Sequence, residues 1–378
     1  MPRAAPRRRV CGTIIYPICE VQPWESTPDP VRASRSGLIY SATVSGDDEI
    51  RANRGMITLV RIMRVSKDGD RDNRATGFIG SYLSRHIVAR QPGTVRLFVR
   101  NTANYQSPAG AEISQGDLLS RSDCERFAGD LHLIYYLAHN NTPLNSDVDL
   151  PSDVLVNLVP LLNLIQAVRK LGTRPHVVYF SSGGAVYAPK QDRVPYRETD
   201  PCGPVSSYGI QKLAAEEYLR LAAHNGYLTS TILRVGNAYG VPLSHFRMQG
   251  LIGVAVNCVA QGRPVRVFSN PNNVRDYIHL DDLSEIALRG SVPQQPFSII
   301  NVGSGVGHSV ADILRIIEEL WGKPIDIHTD QNLGNWLTDW VVLDNRKARD
   351  EFRWSPTVDL RCGVAGMLEG LALRRPSL

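Results

Sequence analysis

Apolar and polar residues alternate with a clear rhythm from about residue 78 onward, and that rhythm defines the expected elements. Phe78–Val88 repeats its apolar residues at helical spacing. Val95, Leu97 and Val99 alternate within Thr94–Val99, as in a strand with one face buried. Leu131–Ala138 and His176–Phe180 are short, nearly continuous apolar runs, the mark of strands covered on both faces. Between them, Val154–Leu171 predicts an amphipathic helix. Ser207–His224 predicts another helix and Thr229–Arg234 another strand. Strands alternating with helices predict an α/β fold with a doubly wound, Rossmann-type parallel sheet. Past Gly240 the alternation loosens into shorter strands, a helix near Val310–Trp321 and frequent Pro and Gly. That part is expected to form a smaller, mixed α/β substrate-binding region.

The N-terminal part lacks this order. Residues 1–55 are rich in Arg, Pro, Ser and Gly and show no sustained period, so they are expected to be an irregular extension. A short strand is predicted over Thr58–Val65, followed by the charged stretch Ser66–Asn73. The expected organisation is therefore an extension over 1–55, a dinucleotide-binding domain over 56–240 and a mainly substrate-binding region over 241–378. Some segments of that last region are expected to return to the core.

Composition narrows the functional classes. The 378 residues are 43% hydrophobic and 21% charged, as in an ordinary globular protein. The net charge of +5 owes much to Arg3, Arg7, Arg8 and Arg9, and no basic run is interleaved with aromatics. Nucleic acid is therefore not the expected partner. The six cysteines, at 11, 19, 124, 202, 258 and 362, form no CxxC pair and accompany no His pair. Neither a disulfide framework nor a structural zinc is expected. No apolar run is expected to cross a membrane, and a cytoplasmic location follows by default.

Several short motifs carry candidate chemistry. In Ala75-Thr76-Gly77-Phe78-Ile79-Gly80, glycines precede a helix, an arrangement that lets backbone approach a pyrophosphate at the helix N-terminus. Tyr208 and Lys212 lie four apart, hence on one helix face, where an ammonium can make the phenol a usable base. Ser181 and Ser182 end a buried strand, and sites in open α/β sheets form at such carboxyl ends.

Together these runs resemble the extended short-chain dehydrogenase/reductase superfamily. The pattern is carried by Ser181–Tyr187, Ser207–Lys212, Leu233–Gly240 and Arg275–Asp282, and more weakly by Gly116-Asp117-Leu118, Asn157, Asn301–Gly305 and Val342–Asp344. It covers about residues 75–365 and is most similar to the NAD-dependent nucleotide-sugar epimerases of the UDP-glucose 4-epimerase kind. The resemblance implies that Tyr208 is the base and that Lys212 tunes it and holds the nicotinamide ribose. Gly77, Phe78, Ile79 and Gly80 would admit the NAD pyrophosphate. Asp117 and Leu118 would flank the adenine, with Ala138 and Asn157 also on the cofactor. Asn237 and Arg275 would bind a nucleotide-diphosphate sugar, Arg275 at the diphosphate. His279, Asp281 and Asp282 are expected to be structural, no metal is implied, and a homodimer packed through two helices is.

Four departures qualify the pattern. Arg74 stands where the family's turn begins with glycine, and a bulky residue suits that turn poorly. Counting back from Tyr187 and Tyr208 puts the family's catalytic hydroxyl on Gly183, with Ser182 the nearest substitute. Gly334 stands about where many epimerases bring a second arginine. The strand ending Val99-Arg100 lacks the usual ribose acid, and Arg100 leaves NADP open. Sugar dehydratases place an acidic pair after the hydroxyl residue, whereas Gly184 and Ala185 transfer no protons. The expected reaction is therefore epimerisation through transient C4 oxidation. An NAD(P)-dependent reductase or dehydrogenase and a non-catalytic nucleotide-sugar-binding protein stay open as alternatives.

Overall fold

The computed structural model describes residues 57–60, 77–90, 94–100, 107–143, 146–243, 250–329 and 338–372. All belong to the compact unit Ser45–Leu378. The extension over 1–55, the stretch 66–73 and the positions Arg74, Ala75, Thr76 and Gly334 lie outside the described residues.

The core is a seven-stranded, all-parallel sheet. Its strands are β1 (Ile57–Val60), β2 (Val95–Val99), β3 (Ala111–Gln115), β4 (Leu133–Tyr136), β5 (His176–Ser182), β6 (Thr229–Val235) and β10 (Phe297–Val302). They lie in the order β10-β6-β5-β4-β1-β2-β3. The direction of winding reverses between β1 and β4, which opens a crevice at their carboxyl ends. Period-two alternation assigns residues to the two faces. Tyr135, Val178 and Leu233 pack with Leu83, Ile87 and Ile286 on one side. Tyr136, Val177, Tyr179 and Ile232 pack with Phe127, Leu164 and Leu219 on the other. Both faces are dry, which explains the unbroken apolar runs of the central strands.

Helices cover these faces: α1 (Phe78–Arg90), α2 (Arg121–Ala128), α3 (Leu150–Asn157), α4 (Val159–Leu171) and α5 (Ser207–His224). The single helix expected over Val154–Leu171 starts earlier and is broken at Leu158. Pro160 has no N–H to offer the Val156 carbonyl, and the Asn140 side-chain amide donates to that carbonyl instead, at 3.3 Å. Asp149 caps the start through Ser152 N–H, and Gly172, at φ 67°, closes the end in the left-handed region. Leu150–Leu171 is also, by length and composition, apolar enough to cross a membrane, contrary to the sequence expectation. In the fold one side of this stretch, with Leu161, Leu164 and Val168, is laid into the core beneath the sheet.

The remaining chain builds a smaller lobe. β9 (Val274–His279) pairs with β7 (Asn237–Tyr239), β11 (Gly307–Ser309) and β13 (Trp340–Val341), while β8 (Val265–Val267) pairs with β12 (Ile327–Thr329). Around them lie α6 (Leu251–Ala260), α7 (Leu280–Arg289), α8 (Val310–Trp321), α9 (Arg346–Phe352) and α10 (Leu360–Ala372). A separate core of Tyr239, Val256, Ile313 and Val364 holds α6, α8 and α10 together. Helix α8 has the limits its sequence period predicts and begins with a reciprocal capping box between Ser309 and Asp312.

Candidate active site

The centre of the site is built by the end of β5 and the first turns of α5. Ser206 caps α5 by accepting from Gly209 N–H at 3.2 Å, which fixes where the helix starts and which residues face the strand. Tyr208 and Lys212 follow on one face. Lys212 Nζ donates to the Phe180 carbonyl at 2.8 Å and lies 5.0 Å from the Tyr179 ring centre and 5.8 Å from that of Tyr208. The Ser182 hydroxyl lies close enough to the Tyr208 phenol to favour its ionised form. Burial pushes that phenol up to about 12, with the nearby Ser182 acting the other way. Burial also brings the Lys212 ammonium down to about 7, against the pull of Glu216.

The geometry answers the question posed by Gly183. A Cβ there would come within 2.6 Å of Leu343 Cδ1 and 3.2 Å of the Arg234 carbonyl. Leu343 thus covers Gly183 so closely that a side chain there would have to displace it, and the nearest hydroxyl to the tyrosine on this strand is that of Ser182.

Beside this group, the segment leaving β4 is pinned by its own polar groups. Asn140 N–H donates to Asn157 Oδ1 at 2.6 Å, and Asn157 Nδ2 donates to the Asp153 carbonyl at 3.0 Å. Asn157 is therefore buried and engaged with protein groups, and Ala138 is buried in the core. His139, between them, meets Tyr208 edge-on, with ring centres 4.8 Å apart and planes at 89°. The sequence reading passed over His139, a single histidine in no recognisable motif.

At the opening of α1, Gly77 has open space where a Cβ would stand, and the first turn carries no acidic side chain. A pyrophosphate suits such a bare helix N-terminus. Phe78 and Ile79 pack partly against the core, and Gly80 is buried. Past β3, Asp117 folds back to accept from Leu119 N–H, while the buried Leu118 gives its carbonyl to Asn163 at 2.9 Å.

The small sheet supplies the other side. Asn237 is exposed at the start of β7, and its Oδ1 lies 3.9 Å from where a Gly184 Cβ would be. Arg275, on β9, is largely enclosed and donates to the Val274 carbonyl at 2.7 Å. Burial holds its pKa below the ordinary range. Its neighbour Asp276 turns the other way and accepts from the Ser304, Gly305 and Leu343 backbone N–H groups and the Ser304 hydroxyl. Asp276 thus holds the backbone of Leu343, the residue that covers Gly183. His279 caps α7, Asp281 accepts from Tyr82 at 2.5 Å, and Asp282 clamps Thr357 and Val358. These three serve the framework.

A further network beneath the site has no counterpart in the sequence reading. Arg234 and Glu216, both almost fully buried, pair at 2.6 Å, and Ser181 donates to the same carboxylate. The Arg234 guanidinium also lies 4.8 Å from the Tyr187 ring centre.

The chain is similar to several known proteins. The UDP-glucose 4-epimerase of Streptomyces lividans is 30% identical over 304 residues, covering 74% of this chain and 89% of that protein. The UDP-glucose 4-epimerase of Mycolicibacterium smegmatis is 29% identical over 305 residues, covering 78% and 96%. An Escherichia coli dTDP-4-dehydro-6-deoxyglucose reductase is 26% identical over 324 residues, covering 82% and 99%. Among solved structures, Thermus thermophilus UDP-glucose 4-epimerase in complex with NAD superposes with a TM-score of 0.73 at 25% identity, covering 85% of this chain and 100% of that one. The model of the NAD dependent epimerase/dehydratase family matches residues 75–303, starting just past Arg74 and taking in Tyr208, Lys212, Asn237 and Arg275, and the chain belongs to that family.

Proposed function

We propose that the protein is an NAD-dependent epimerase of a nucleotide-diphosphate sugar, interconverting UDP-glucose and UDP-galactose or a close analogue at C4. The observation that carries this reading is the Ser182–Tyr208–Lys212 group at the carboxyl end of β5. Leu343 links it to the sheet bearing Arg275, since it covers Gly183 and is held by Asp276.

Each residue has a part in that reaction. Tyr208 takes the proton of the C4 hydroxyl and later returns it, and Ser182 holds that hydroxyl in place. Lys212, in its charged form, favours the phenolate and holds the nicotinamide ribose. Arg275 pairs with the diphosphate, a task suited to a planar and permanently charged donor, and Asn237 adds an amide contact. Gly77, Phe78, Ile79 and Gly80 accommodate the cofactor pyrophosphate. Asp117 and Leu118 border the adenine, Ala138 walls the cleft, and Asn157 acts through Asn140. The cofactor supplies the hydride acceptor and donor, so that a 4-keto sugar can form, turn and be reduced on its other face.

Cofactor retention distinguishes this from a reductase, which the E. coli relative and Arg100 favour as the second reading. The protein is purified and denatured, and released NAD(H) and NADP(H) are assayed. UDP-galactose is then given to the intact enzyme. Stoichiometric NAD and UDP-glucose formation without net cofactor consumption are expected. Net consumption of NADPH would establish the reductase, and substrate binding without turnover a non-catalytic protein.

The active unit is a homodimer, in a cytoplasmic setting where nucleotide sugars and NAD are available. Leu150, Val154 and Leu155 on α3 and Ile210, Tyr218 and Leu221 on α5 are exposed apolar residues on neighbouring helices. A second copy would cover them. Sedimentation velocity is expected to give a dimer, and L155E/L221E a monomer.

A further inference from the structure

His139 lies three residues past β4, where the carboxyl ends of the central strands meet Tyr208. Its ring stands edge-on to that phenol at 4.8 Å, a geometry that fixes the orientation of both rings. The segment is anchored on either side, with Ala138 in the core and Asn140 bonded to Asn157 and to Val156. His139 therefore sits on rigid backbone. Its Nε2 is enclosed and meets no hydrogen-bond partner among the described residues, and the same holds for Asn140 Oδ1 next to it. A buried ring nitrogen without a partner costs stability unless something else supplies the bond. The histidines that only support the framework look different. His176 bonds Thr229 and the Gly290 carbonyl, and His279 caps a helix.

We propose that His139 is a ligand-contacting residue whose neutral imidazole hydrogen-bonds through Nε2 to a hydroxyl group of the molecule filling the cleft. Hydroxyls of this kind occur on two molecules, the ribose of the cofactor and the hexose of the substrate. The inference rests on the reading of the site as a cofactor and nucleotide-sugar cleft. Set against the ring are Tyr208 and the Lys212 charge, both on α5. Burial and the Lys212 charge keep the imidazole well below its ordinary pKa, so it serves as a neutral hydrogen-bonding group beside an ammonium. The contact with Tyr208 gives it a second effect, since the imidazole bonded to the ligand also steadies the phenol that moves the proton.

The test uses two variants that separate packing from hydrogen bonding. H139F keeps a flat ring against Tyr208 and removes Nε2, whereas H139N keeps a polar group and removes the ring. For wild type and both variants, the affinities for NAD and for UDP-galactose are measured by calorimetry on cofactor-stripped protein, along with kcat, KM and their pH profiles. H139F is expected to fold with an unchanged pH profile but to bind one of the two molecules about tenfold more weakly. A loss confined to NAD assigns the bond to the ribose, and a loss confined to UDP-galactose assigns it to the hexose. H139N is expected to disturb the pH profile through Tyr208. Wild-type affinities for both molecules in H139F would overturn the proposal. A wild type that binds NAD but does not epimerise would remove the functional reading and leave His139 to be judged on its NAD affinity. A wild type that binds neither molecule would overturn both.

Discussion

Arg234 and Arg275 lie on strands that bracket the same site, and both guanidinium groups are taken out of water, yet the protein treats them in opposite ways. Burial works against the charge of Arg234, but the Glu216 carboxylate grips it through two nitrogens and lifts its pKa above the ordinary range. Arg275 forms no ion pair among the described residues; its guanidinium donates to its own neighbour's carbonyl, and burial outweighs the nearby Asp339 charge to hold its pKa below that range. A neutralised pair fixes β6 against α5 and so sets the distance between Tyr208 and the sheet. A largely enclosed cation that no carboxylate grips among the described residues destabilises the protein, and an arriving anion relieves that cost. The first arginine therefore belongs to the framework, and under the proposed function the second belongs to the ligand.

Breaking the pair should have the largest effect. R234M leaves the Glu216 carboxylate, at 1% side-chain exposure, without its cation, and unfolding free energy is expected to drop by roughly 3–5 kcal/mol. Guanidinium denaturation measures this, and R234M/E216L should regain much of the loss. A fall as small as that of a surface substitution would mean the pair is not structural.

Asp276, one position from Arg275, sharpens the contrast from the acidic side. Burial raises its carboxyl from 3.8 to about 6, against four donated hydrogen bonds. Because the folded-state pKa is raised, the folded protein binds the extra proton between those values. This contribution is complete below pH 3.8 and is lost as pH rises through 6. The stability gap between wild type and D276N should shrink by roughly 3 kcal/mol across that window. A gap independent of pH would show that the four donors compensate the charge fully.

The smallest effect on folding and the clearest on function is expected from R275M. Thermal stability should stay level or rise, while the KM for the nucleotide sugar grows between about tenfold and a hundredfold, the worth of a charge-assisted contact. Loss of stability comparable to R234M would erase the distinction between the two arginines.

What could be read from the sequence follows the same division. Tyr208 and Lys212 were legible because a helix places i and i+4 on one face, and Ser182 because it ends a buried run. Both are local regularities. The Glu216–Arg234 pair joins a helix to a strand through side chains that nothing local relates, and His139 acquires its meaning only from the α5 ring that reaches it. The break at Leu158 was readable from Pro160 yet hidden by a strong apolar period across it. Motif counting alone put the family's hydroxyl on Gly183, because it cannot see Leu343 lying over that glycine.

One feature of the sheet has a consequence for how the molecule is made. The strand beside β6 is β10, and it is encoded only at residues 297–302, beyond most of the small lobe. A ribosome that has released residues up to 240 has produced every other strand of the sheet but leaves the outer edge of β6 bare, with the outward-facing backbone groups of Thr229–Val235 lacking their β10 partners. Such an edge recruits other strands. A nascent or truncated chain ending before β10 is therefore a template for aggregation, and the two halves of this protein have to be synthesised as one.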